Sequence, residues 1–287
     1  MQTRPRSARR TVLSLGVDDT PMTERTLWQI ALSREQWIVA AVLALAIGLA
    51  WASLVWMGMP SAGSGMDSMA GMQASAQSAI WTPSYALMVF AMWAIMMVAM
   101  MLPSATPMIL LYARVAGQPN AGSTLVPTTV FAGTYLALWT MFALIATTVQ
   151  WMLSQLQFLS DATMTVGNGR IGGALLIAAG LYQLTPLKRI CLENCRSPFS
   201  FLTTHWRPGL RGAINLGVRH GAYCIGCCWL LMALLFFGGV MNLVWVAAIA
   251  AVVLIEKAAP AGRRIGQVAG AVAILAGAGL ILAPFVS

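Results

Sequence analysis

Polar and apolar positions alternate along this chain in long blocks. Residues 36–66, 68–113, 115–160, 171–187, 220–255 and 265–287 contain no Asp, Glu, Lys or Arg. A transmembrane helix needs about 20 mostly apolar residues. The blocks predict an all-α, polytopic bundle of about seven spans, over 37–57, 84–110, 127–150, 170–187, 221–237, 240–256 and 265–284. Pro103 and Pro107 fall inside the second span, where each removes a backbone donor. Gly238-Gly239 supplies the turn of a short hairpin. Trp37, Trp56 and Trp151 stand at span ends, as suits the headgroup region.

Composition sharpens this picture. The chain is 59% hydrophobic and 9% charged, whereas a soluble domain carries about 25% charged residues. That excludes an ordinary soluble enzyme and a disordered protein. The formal net charge is +9, but the cations cluster between spans, so the expected partner is a lipid bilayer and not nucleic acid. Lys and Arg in short loops mark the cytoplasmic side. Arg4 to Arg34, Arg114, the Lys188–Arg219 group and Lys257–Arg264 all fall on one side if the N-terminus is inside. A single span over 220–255 would expose the last group, which favours the hairpin. Residues 1–36 then form a loose cytoplasmic tail and 37–287 the membrane domain, with a Met-rich external loop (58–83) and a Cys/His-rich cytoplasmic loop (188–221).

The candidate chemistry is concentrated. All five cysteines and both histidines lie within residues 191–228, as Cys191-x3-Cys195, His205, and His220-x3-Cys224-x2-Cys227-Cys228. On a helix, with Cys224 at zero, His220 falls at about −40°, Cys227 at about −60° and Cys228 at about +40°. These four share a face. Three readings fit: buried cysteines as small hydrophobes, a thiol–disulfide relay, and a metal site. A relay needs an oxidising compartment, and the charge map puts these thiols at the reducing face. A metal site built from Cys191, Cys195, His220, Cys224, Cys227 and Cys228 is therefore favoured, since thiolate with imidazole suits Zn²⁺ or Cu(I). His205 reads as a loop histidine.

Methionine tips the metal toward copper over zinc, because thioether selects soft Cu(I). The external loop carries Met57, Met59, Met66, Met69 and Met72, and span two carries Met92, Met96 and Met100 along one drifting stripe. In span two, packing is the plainer explanation. Glu256, at a span end beside Lys257, and Asn242 are further polar candidates. No carboxylate pair is placed for acid–base catalysis, which favours binding or transfer over hydrolysis.

The segments MWAIMMVAMMLPSATPM (92–108), CLENC (191–195), GVRHGAYCIGCCWLLMALLFFGGVMNLVW (217–245) and EKAAPAG (256–262) resemble a bacterial family of predicted metal-binding integral membrane proteins, a domain of unknown function, over about 85–262. The resemblance implies metal binding and a bacterial cytoplasmic (inner) membrane location, and supplies no reaction. Soft-metal transport, delivery or homeostasis is the leading expectation. A membrane thiol–disulfide or metal-dependent oxidoreductase, and an accessory protein that assembles a partner metalloprotein, are the alternatives.

Overall fold

The computed structural model describes residues 34–58, 81–116, 124–156 and 169–282, which belong to one compact unit. All regular structure among them is helical. The long helices are α1 (Arg34–Gly58), α2 (Pro83–Ala116), α3 (Leu125–Gln155), α4 (Gly169–Leu184), α7 (Gly209–Ala233), α9 (Leu243–Ala258) and α10 (Gly262–Leu282). Between α4 and α7 lie α5 (Pro186–Arg196) and α6 (Pro198–His205), and α8 (Leu235–Gly238) extends α7.

Among the described residues, five stretches are long and apolar enough to cross a membrane: Glu35–Met57, Pro83–Ala116, Leu125–Gln155, Gly209–Gly238 and Gly262–Leu282. The seven expected spans are therefore not all met by length. Helices α4 and α9 have 16 residues each, about 24 Å at 1.5 Å per residue, short of a hydrocarbon core of about 30 Å. Helix α4 makes a pair with α5 bent by 64°, which passes the length test only when the two are taken together. The region expected as a cytoplasmic loop over 188–221 is also helical, comprising α5, α6 and the first half of α7. Charged Arg211 and Arg219 sit on α7 before its most apolar part, so hydropathy alone placed the start of that helix too late.

Small residues let helices approach closely. Helices α4 and α10 run antiparallel with glycine at both contacts. A Cβ on Gly173 would come 2.7 Å from the Gly277 carbonyl oxygen, and one on Gly180 would come 2.5 Å from that of Gly270. Gly217 and Gly221 likewise bring α7 onto Phe131, Thr134 and Leu138 of α3.

Helix α2 remains continuous through both prolines. Pro103 cannot donate to the carbonyl four residues earlier, and that Ala99 oxygen instead accepts from the indole N–H of Trp51 on α1 at 3.1 Å. Opposite, the buried Trp93 indole donates to Gln150 Oε1 of α3 at 2.7 Å. At other helix starts, Thr185 Oγ1 accepts from the Lys188 amide above Pro186, opening α5. Gly239, with φ of 92°, makes the turn before α9.

Candidate metal centre

The predicted face on α7 forms as the helical repeat requires. His220, Cys224, Cys227 and Cys228 are all buried. Cysteine 195, half-buried at the end of α5, comes within interaction range of Cys224 and Cys227. Four thiols from two helices are thus gathered. Cys191 also comes within range of Cys227, but from a different side: its Sγ would lie 2.8 Å from a Cβ on Gly226, a residue turned about 200° from Cys224 on the helix. The glycine there is what leaves room for this sulfur.

Three other helices close the cluster with groups that spacing along the sequence does not reveal. Lys257 Nζ of α9 donates to Cys224 Sγ at 2.9 Å and to Ser104 Oγ of α2 at 3.1 Å. The Tyr135 hydroxyl of α3 lies 3.1 Å from Cys224 Sγ and 3.3 Å from the Met101 carbonyl oxygen. Cys228 Sγ lies 3.8 Å from Met101 Sδ of α2. The cation beside the thiols is thus a lysine, while the nearby arginines bond elsewhere. Arg219 bonds Asn215 Oδ1, and Arg196 donates to the carbonyls of Glu256, Ala259 and Pro260.

Among the described residues, no set of three or more His, Cys, Asp or Glu side chains is arranged to hold a metal ion as the side chains stand. The reason is local. The Cys227 and Cys228 thiols both turn to the Cys224 carbonyl oxygen, at 3.1 and 2.8 Å. A protonated thiol is satisfied that way, and a metal requires it to lose the proton and turn about χ1. His220 points to a vacancy in the bonding instead. Its Nδ1 is buried without a hydrogen-bond partner among the described residues, and its ring packs among Phe131, Tyr135 and Phe201. Buried polar atoms are nearly always paired, so an orphan imidazole nitrogen one helical turn from Cys224 fits a ligand position. The donors are four thiols, an imidazole and a thioether, a set that suits a soft cation.

The remaining candidates fall elsewhere. Glu256 is buried and pairs with Lys188 at 2.7 Å, while Gln183 Nε2 donates to its other oxygen at 2.8 Å; Lys188 also bonds Gln183 Oε1. Its neighbour Lys257, about 100° round the helix, faces the thiols instead. Asn242 caps α9, accepting from the Trp245 amide at 3.2 Å. His205 bonds the Phe201 carbonyl of its own helix. Met96 and Met100 are core residues, and Met92 and Met57 are half-buried against that core. Met59, Met66, Met69 and Met72 lie outside the described residues.

No curated protein and no solved structure matches this chain. The model of one family, PpoB2, described as a copper chaperone, matches residues 90–280, a stretch that holds α2 from its third turn, the whole thiol cluster and nearly all of α10.

Proposed function

This chain belongs to the PpoB2 copper chaperone family, and from that premise we propose that it is an integral protein of the bacterial inner membrane that takes up Cu(I) on its thiol cluster and passes it to a partner metalloprotein. The cargo is Cu(I), and Cys195, Cys224, Cys227 and Cys228 are its primary ligands. The observation that carries this reading is the grouping of four thiols with the orphan Nδ1 of His220 and the sulfur of Met101. Cu(I) accepts two or three soft ligands, so a cluster of more donors than it needs permits ligands to be exchanged one at a time with an incoming partner thiol. A cuprous ion held by two or three thiolates is left with net negative charge. The Lys257 ammonium beside Cys224 is placed to balance it.

The test is the metal content of the purified protein against the variant Cys224→Ser/Cys227→Ser/Cys228→Ser. Copper is expected in the first and not in the second. Equal, negligible copper in both sinks the reading.

A second reading, movement of Cu(I) along the bundle, draws on a different observation. Met96, Met97, Met100 and Met101 are buried in succession on α2, and Met101 ends that run at Cys228. Copper flux into vesicles containing the protein separates the two. Binding without flux leaves delivery standing and removes transport.

A further inference from the structure

Helices α4, α9 and α10 share a groove that changes character along its length. Its longer part is an apolar cavity of about 560 Å³, walled by residues such as Leu176, Ile249, Val252, Val272 and Ala276. Gln183 lines its end and also lines an adjoining cavity of about 260 Å³. The second cavity is of mixed lining and holds the charged groups, with Lys188, Arg189, Arg263 and Glu256 around it. All three helices pass from one compartment to the other in order. Helix α10 gives Arg263 to Gln267 to the charged end and Ala269 to Leu280 to the apolar part. Helix α9 gives Glu256 and then Val252 to Trp245, and α4 runs from Leu184 back to Leu176.

The site therefore has a head compartment and a tail compartment. From Ala269 to Leu280 is about 16 Å along α10, close to half of a hydrocarbon core of about 30 Å. That is the depth of one leaflet. The head compartment carries three cations and one carboxylate, and the carboxylate is already taken up by Lys188 and Gln183. Arg263 makes no ion pair among the described residues, and Arg189 has only an exposed 3.7 Å contact with Glu193, which solvent screens. Two guanidinium groups at the mouth of an apolar groove suit a phosphate oxyanion attached to a hydrocarbon chain.

We propose that this groove binds one anionic phospholipid, with its phosphate at Arg189 and Arg263 and one acyl chain along α10. The proposal rests on the membrane reading above. Lys188 and Glu256 form the floor of the head compartment, and the copper ligands lie outside it.

Native mass spectrometry of the full-length protein in detergent, with added phosphatidylglycerol or phosphatidylcholine, tests it. Wild type is expected to retain phosphatidylglycerol about tenfold better. Arg189→Gln/Arg263→Gln should lose that preference, as Arg189→Gln alone should in part. Ala276→Phe, which fills the tail compartment, should lower retention of both lipids. Copper content on the same samples should be unchanged, which also establishes that the variants fold. Equal retention of the two lipids by wild type overturns the proposal, as does a preference indifferent to both arginines. So does displacement of the lipid by inorganic phosphate with no effect of Ala276→Phe, since the ligand is then a free anion. If the protein is recovered from cells without detergent, the membrane premise falls and the proposal with it. Unselective lipid retention by a detergent-requiring protein removes the proposal alone.

Discussion

Lys257 is the side chain on which the copper reading is most exposed to test. Among the described residues its ammonium has two hydrogen-bond partners, Cys224 Sγ and Ser104 Oγ, and no carboxylate. A cation held against sulfur contributes most when that sulfur is a thiolate, as it is in a Cu(I) complex. Lys257→Gln keeps a donor of similar reach and removes the charge. Groups that support metal ligands typically account for about 10–100-fold in affinity, so Cu(I) affinity, read by competition with a chromogenic chelator, should fall by about that factor. An unchanged affinity disconnects Lys257 from the metal. The residues around it also mark what the sequence made legible. His220, Cys224, Cys227 and Cys228 share a face because the helical repeat is local, and spacing reveals it. Lys257, Tyr135 and Met101 arrive from α9, α3 and α2, and nothing in their local sequence points at a thiol. The pair Cys191 and Cys195 divides for a related reason. Both come within range of Cys227, but Cys195 also reaches Cys224 while Cys191 sits against Gly226, and that difference is set by α7 and not by spacing along α5.

Among elements, the antiparallel contact of α4 with α10 depends most sharply on residue size. The Cβ of a substituted Gly277 would come 2.5 Å from the Gly173 carbonyl oxygen, and a backbone atom in a helix cannot be turned aside as a side chain can. Gly277→Val should therefore destabilise the fold by about 1–3 kcal/mol, measured as a lower midpoint of thermal unfolding in detergent. The open position Gly279, with nothing within 4 Å of its Cβ, should tolerate alanine with little change. Equal behaviour of the two variants would mean that α4 and α10 do not meet in this way. Apolar runs announced the existence of these helices because each run is long enough to form several helical turns. They did not announce the ends. Helix α2 continues through Pro103 because Trp51 takes up the freed Ala99 carbonyl, a remedy supplied by another helix. Helix α7 begins at Gly209, ahead of its apolar stretch, because a helix need not be apolar where side chains such as Arg211 and Arg219 are exposed.

For the whole molecule, orientation decides which chemistry the cluster can do. Lys188, Arg196, Lys257 and Arg263 gather at the end where α5 meets the α9–α10 turn, with Arg196 bonded to that turn, while Arg170 opens α4 at its other end. In the membrane protein proposed above, an excess of cations at one end is the asymmetry expected of a cytoplasmic face. Lys257 lies at the last turn of α9 and reaches Cys224 from there, which sets the thiols at the depth of that same end. If the N-terminus is inside, the half-buried Cys195 should react with a membrane-impermeant maleimide only after cells are permeabilised. A variant with Cys195 as the sole cysteine avoids ambiguity in the readout. Labelling of intact cells would invert the bundle and place the cluster in an oxidising compartment. Thiols this close would there be prone to disulfide formation, a relay would regain its standing, and Cu(I) delivery to the cytoplasm would lose its donor. Labelling only after permeabilisation leaves the thiols reduced, and a reduced cluster can hold Cu(I) through its sulfur without first being opened by a reductant.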